Sequence, residues 1–116
     1  MTGDDTGRIE PLRLRGRETT ARGGHAFARL LALAETRESG QARCIARFIT
    51  STYDGQAFPF DPFELRAVDA AISDDMLLCL DALRWGQADL HRLALDGQRR
   101  VEAMLQRWGI VWPSSR

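Results

Sequence analysis

"GQAFPFDPFELR", residues 55–66, decides how the rest of the chain is read. It holds three of the five phenylalanines and two of the four prolines, with Asp61 between them. Asp61 stands where a helix N-cap belongs. Pro62 follows at the first helical position, where its missing N–H costs nothing. Glu64, three residues after the cap, completes an acidic capping box, and Phe60 and Leu65 have the spacing of a hydrophobic staple. The stretch therefore predicts a helix start, with Leu65, Val68 and Ile72 along the buried side. Phe58 and Phe63 are left to seal the core under the loop.

The pattern is helical on both sides of this loop. Upstream, from Gly24, Phe27, Leu30, Leu31 and Ala34 recur at three- and four-residue spacing. "ESG" at 38–40 breaks that helix. Ile45, Phe48, Ile49 and Thr52 or Tyr53 make a second stripe, ended by "DG" at 54–55, where Gly55 suits a left-handed C-terminal position. Downstream, Ser73 reads as the cap of a further helix, with Asp74 and Asp75 favourable to its dipole. Its apolar positions are Met76, Leu77, Leu80 and Leu83, with Cys79 adjacent. A short helix over 89–95 and a last one carrying Val101, Met104, Leu105 and Trp108 complete the pattern, and Trp112 is expected to pack back. No segment alternates with period two. The expected fold is all-α, a compact bundle of five or six short helices, with a helical domain over 24–116. Residues 1–23, rich in Gly, Thr and charge, are expected to form a flexible arginine-rich arm.

A chain of 116 residues fits one domain, and its apolar content of 44% with 28% charged residues is ordinary for a globular protein. Formal net charge is zero, so no global field draws it to nucleic acid or anionic membrane. The basic residues are all arginine, planar forks suited to carboxylates, phosphates and aromatic faces. Cys44 and Cys79 lie in apolar helical stretches and read as small buried hydrophobes of a reducing compartment. "MTGDDTGRIEPLRLRGR" has no apolar core of a signal peptide, and no apolar run reaches membrane-span length, so the cytoplasm is expected.

No catalytic constellation emerges. His25 and His91 are the only histidines, and Asp89 lies two residues from His91, a spacing that does not face it on a helix. No G-x-S-x-G, H-E-x-x-H or phosphate-loop pattern is present. The expectation is a non-enzyme without metal or cofactor.

Charge is segmented. Residues 54–81 hold seven acids against Arg66 alone, whereas residues 8–47 hold nine arginines against four acids. The plain interpretation is internal pairing between segments. The functional one is an acidic face, Asp69, Asp74, Asp75 and Asp81, that meets a basic partner. A DNA-binding chain would instead use Arg13, Arg15, Arg17, Arg99 and Arg100; the helix opening Asp74, Asp75 would repel phosphate.

"YDGQAFPFDPFELRAVD", "DDMLLCLDALR" and a histidine before "DGQRRVEAMLQRWGI" together resemble a family of small, uncharacterised proteobacterial proteins carried on plasmids, integrative elements and prophages. The resemblance covers about residues 41–110, through the F-P-F-D loop, L-R-x-x-D and the closing W-G. Asp54 stands where the family usually has Asn, and Val101 where it usually has an aromatic. The resemblance implies no catalytic residues. It implies a setting: a mobile-element accessory protein. The expected function is stoichiometric binding of a protein partner, in its sharpest form inhibition of a CRISPR effector or another defence protein. A small DNA-binding regulator is the alternative.

Overall fold

The computed structural model describes residues 2–114, with side chains from Ile9 onward. All of its regular structure is helical: α1 (Thr2–Thr36), α2 (Gly40–Tyr53), a 3-10 turn (Pro62–Arg66), α3 (Ala70–Trp85), α4 (Leu90–Leu93) and α5 (Gly97–Arg107). The core joins Phe27, Leu30 and Leu31 of α1 to Ile45, Phe48 and Ile49 of α2, Met76 and Cys79 of α3, Leu90 of α4, and Val101 and Met104 of α5. The stripes expected for α1, α2 and α5 face the core, with Thr52, Tyr53 and Trp108 half-buried at their ends. Among the described residues no helix is long and apolar enough to cross a membrane.

The expected division at residue 24 is not a break in the chain's course. α1 is continuous through it, although Pro11 removes one hydrogen bond from the ladder. Met1 and the side chains of residues 2–8, part of the expected arm, lie outside the described structure. Gly16, Thr19, Thr20 and Gly23 are buried and extend the stripe of Phe27, Leu30 and Ala34 toward the N-terminus. Gly16 and Gly23 lie against α3, and Thr20 lies beside Gln87 just beyond its end. A Cβ on Gly23 would lie 2.3 Å from Ala82 Cβ and 2.9 Å from the Leu78 carbonyl oxygen, so only glycine allows the backbones this close. Thr20 turns its hydroxyl to the Gly16 carbonyl at 2.7 Å and lies 3.2 Å from Gln87 Oε1. A search for large aliphatics does not see such a stripe, because its contacts are made by small residues and backbone.

That close approach explains the largest departure from expectation. The face of α3 turned inward carries Met76, Cys79 and Ala82, three residues apart, while Leu77, Leu80 and Leu83 are exposed. Small side chains fit beneath α1; leucines there would hold the helices apart.

The 55–66 stretch begins as expected and then departs. Asp61 caps by accepting the Phe63 N–H at 3.0 Å, with Pro62 at the first position. The turn is 3-10 and stops at Arg66, and α3 starts afresh at Ala70 behind Asp69. Ser73 is therefore inside α3, not its cap, and donates its hydroxyl to the Ala70 carbonyl. Glu64 does not close the capping box; it accepts from Arg47 at 2.9 Å and ties the turn to α2. Phe60 packs edge-on against Phe48 at 5.3 Å, and Phe60 and Leu65 both rest on the core. Phe63 does not seal the core: it is exposed, with the Arg66 guanidinium over its ring. α2 ends through Asp54, whose Oδ1 accepts from the Gln56 and Ala57 N–H groups, rather than through a left-handed Gly55.

α5 closes the fold onto α1. Trp108 Nε1 donates to the Ala34 carbonyl at 2.7 Å, Arg107 Nε to the same oxygen at 3.2 Å, and another Arg107 nitrogen to the Arg37 carbonyl at 2.8 Å. These are carbonyls at the end of α1 that the helix itself leaves without partners. Gly109, at φ 67°, lets the chain reverse, and Ile110 N–H returns to the Leu105 carbonyl at 2.9 Å.

Replacing Gly23 with valine is expected to destabilise the chain by about 1–3 kcal/mol, or to leave it unfolded, because the seam cannot widen locally. Alanine at Gly40, whose Cβ would meet nothing within 4 Å, is expected to stabilise by about 0.5–1 kcal/mol. Urea denaturation of the two variants measures both.

Candidate functional site

The four expected acids do not share one face. Asp74 and Asp81 do: two helical turns apart, they flank exposed Leu77 and Leu80 on the outward side of α3. Asp75 is turned the other way. Its side chain is 17% exposed and holds Arg29 of α1 through two hydrogen bonds, 2.8 and 3.1 Å. The same contact holds the Arg29 guanidinium above its ordinary pKa. Asp69 precedes α3, and its backbone N–H donates to Gln41 Oε1 at 2.7 Å. Asp81 accepts from Arg84 at 2.6 Å, whereas Asp74 forms no ion pair among the described residues. The outer face of α3 is thus a leucine surface with Asp74 at one end and the Asp81–Arg84 pair at the other.

The alternative arginine set is dispersed. Arg13 pairs with Glu10 at 3.5 Å, and the Arg15 guanidinium lies 5.5 Å from the Trp85 ring centroid; Arg17 is exposed. Arg100 sits at the far end of α1, where it grips Glu35 at 2.7 and 2.9 Å and reaches the Leu95 carbonyl. That pairing raises its pKa. Twenty residues of helix separate Arg15 from Glu35, about 30 Å. Arg99 is exposed and pairs with Asp96. No single patch gathers the five.

A second surface escaped the sequence reading. The reversal at Gly109 folds residues 110–112 back beside α5. A cleft of about 540 Å³ results, lined by Glu102, Leu105, Gln106, Gly109, Ile110, Val111 and Trp112. Trp112 packs on Phe58 (4.7 Å) and Tyr53 (6.2 Å), as expected of a residue that packs back, yet stays half exposed. Tyr53 also meets His91 edge-on at 4.9 Å and donates its hydroxyl to Glu102 at 2.9 Å. Burial first, and the Glu102 carboxylate second, raise the Tyr53 pKa. The available sequence signal was the glycine after Trp108, which implies a reversal but not its direction.

A family model described as a family of unknown function (DUF7673) matches residues 24–109. The chain belongs to that family. No curated protein and no solved structure matches it. The matched segment opens in the middle of α1 and contains α2 to α5 entire, so Gly16, Thr20 and Gly23 of the α1–α3 seam precede it.

Among the described residues no group of three or more His, Cys, Asp or Glu side chains gathers as metal ligands. Cys44 and Cys79 are free and buried. Burial pushes the Cys44 thiol up to about 11, helped by Glu64, and the Cys79 thiol up to about 12, helped by Asp75. Both values lie above that of an exposed thiol. The neutral thiols therefore favour the fold below about pH 9, and this contribution is lost as pH rises through 11 to 12. Iodoacetamide at pH 8 is expected to label neither cysteine in the folded chain and both in urea, as mass spectrometry will show. Asp75→Ala is expected to lower stability by about 1 kcal/mol and Asp74→Ala by less than about 0.5 kcal/mol in chemical denaturation.

Proposed function

We propose that this chain works by stoichiometric protein–protein binding through the outer face of α3, as an accessory protein of a mobile element. One observation carries the binding reading. Leu77 and Leu80, 54% and 39% exposed, stand side by side on a helix whose neighbours are already packed. Apolar side chains gathered on one face of a helix, with charge at the margin, are the usual make-up of a recognition surface. Asp74, without an ion-pair partner among the described residues, suits a basic group beside the apolar contact.

The mobile-element setting comes from the resemblance of the F-P-F-D loop and the closing W-G segment, and the cytoplasm is its natural compartment. Within that setting the sharpest form of the proposal is an inhibitor of a host-defence protein such as a CRISPR effector. Effectors that handle nucleic acid carry the basic surfaces that a leucine patch with a free acid would meet. A DNA-binding regulator fits less well, because Arg100 is engaged by Glu35 and stands about 30 Å along α1 from Arg15.

The test compares tagged wild type with Leu77→Asp, a change at an exposed position that leaves the core intact. Capture from host lysate followed by mass spectrometry is expected to recover a basic protein with the wild type and to lose it with the variant. The companion measurement is fluorescence anisotropy with a labelled DNA duplex at about 50 and 200 mM salt, a range over which phosphate-driven binding weakens steeply. Tight, salt-sensitive duplex binding that disappears when Arg13, Arg15 and Arg17 become glutamine would overturn the proposal in favour of the regulator.

A further inference from the structure

The outer face of α3 is complementary to itself, and we infer that a second copy of this chain docks on it. The inference rests on the reading of that face as a docking surface and names an occupant. Ser73, Leu77, Leu80 and Arg84 follow one another at spacings of four, three and four residues, which places them on one narrow stripe of the helix. The spacing reads the same from either end. Two α3 helices packed antiparallel about a twofold axis therefore set each Leu77 against the second copy's Leu80. They also set each Arg84 beside the second copy's Ser73 and Asp74.

A twofold contact uses the same patch on both molecules, so the patch must carry its own complement. This one does. Asp74 lies at the acidic end of the stripe and Arg84 at the basic end, with the leucines between. Antiparallel pairing brings each charge level with its opposite to within one residue's rise, about 1.5 Å. Parallel pairing would set Asp74 against Asp74. The antiparallel arrangement also opposes the two helix dipoles favourably. The side chains are free to take part. Leu77 and Leu80 are exposed, and Asp74 has no ion-pair partner among the described residues. The Arg84 side chain is 60% exposed; it pairs with Asp81, one turn away on its own helix, and its guanidinium lies 5.7 Å from the Trp85 ring centroid, which leaves donors that it can share across the axis. Leu83, exposed at the margin of the stripe, widens the apolar contact.

Sedimentation velocity of the full chain across the micromolar range tests this directly. The wild type is expected to move from monomer toward dimer as concentration rises, and Leu80→Glu to remain monomeric. Asp74→Arg and Arg84→Asp are each expected to weaken association about tenfold, while the two combined regain most of it, because the swap restores both cross-axis pairs. Circular dichroism and thermal midpoints establish that these surface variants are folded. A wild type that is monomeric throughout, or a combined variant no better than either single one, overturns the inference. The lysate capture separates the two readings of the face. A monomeric protein whose capture depends on Leu77 removes only the self-pairing. A dimer whose Leu77→Asp variant still captures the same partner removes only the partner reading.

Discussion

The rest of the structure depends on the contact between α1 and α3 at Gly23. Helices with ordinary side chains between them lie 8–10 Å apart. Here a Cβ at Gly23 would collide with Ala82 Cβ and approach the Leu78 carbonyl, so the two backbones meet almost directly. The constraint spreads along both helices. On α1 it demands Gly16 and a threonine whose hydroxyl is satisfied by its own helix. On α3 it admits Cys79 and Ala82 and expels the leucines. The exposed surface of α3 is therefore a product of the interior. The helix carries apolar residues on both its inner and outer sides, and its partner accepts only the small ones.

This seam also shows why the sequence was legible in some places and opaque in others. Stripes of large side chains at three- and four-residue spacing located α2, α5 and the second half of α1 correctly, because a helix with one large apolar face turns that face inward. The same rule misplaced Leu77, Leu80 and Leu83, and gave residues 16–23 no role in packing. A glycine contact leaves no hydrophobic signature. Its stabilisation comes from dispersion between closely spaced backbones, which composition does not record. Asp61 and Pro62 were legible because caps are local chemistry, whereas the restart at Ala70 was not. Asp69 begins α3 without a side-chain cap, held instead by Gln41 from another helix.

For the candidate surfaces the lesson is similar. Counting acids over 54–81 pointed to α3, and α3 does carry the outward face of interest. The count could not separate Asp75, spent on Arg29 within the fold, from Asp74, which is not. One position along a helix turns a side chain by about 100°, enough to move a carboxylate from the surface to a seam. The arginines divide in the same way. Arg29, Arg47, Arg100 and Arg107 join helices to one another, and the absence of lysine suits that work, because the planar guanidinium grips two acceptors at once.

The hold of Trp108 and Arg107 on the carbonyls of Ala34 and Arg37 bears on how the chain comes to fold. The end of the first long helix is completed by groups seventy or more residues further along. A nascent chain that has emerged only as far as α3 lacks the Arg107 and Trp108 donors for those carbonyls and lacks Val101 and Met104 of the shared core. The α1–α3 seam can form earlier, but the core is complete only when α5 is present. The contacts of Arg107 and Trp108 with the end of α1 are made last in chain order. Such a dependence of the first element on the last favours all-or-none folding over stepwise growth.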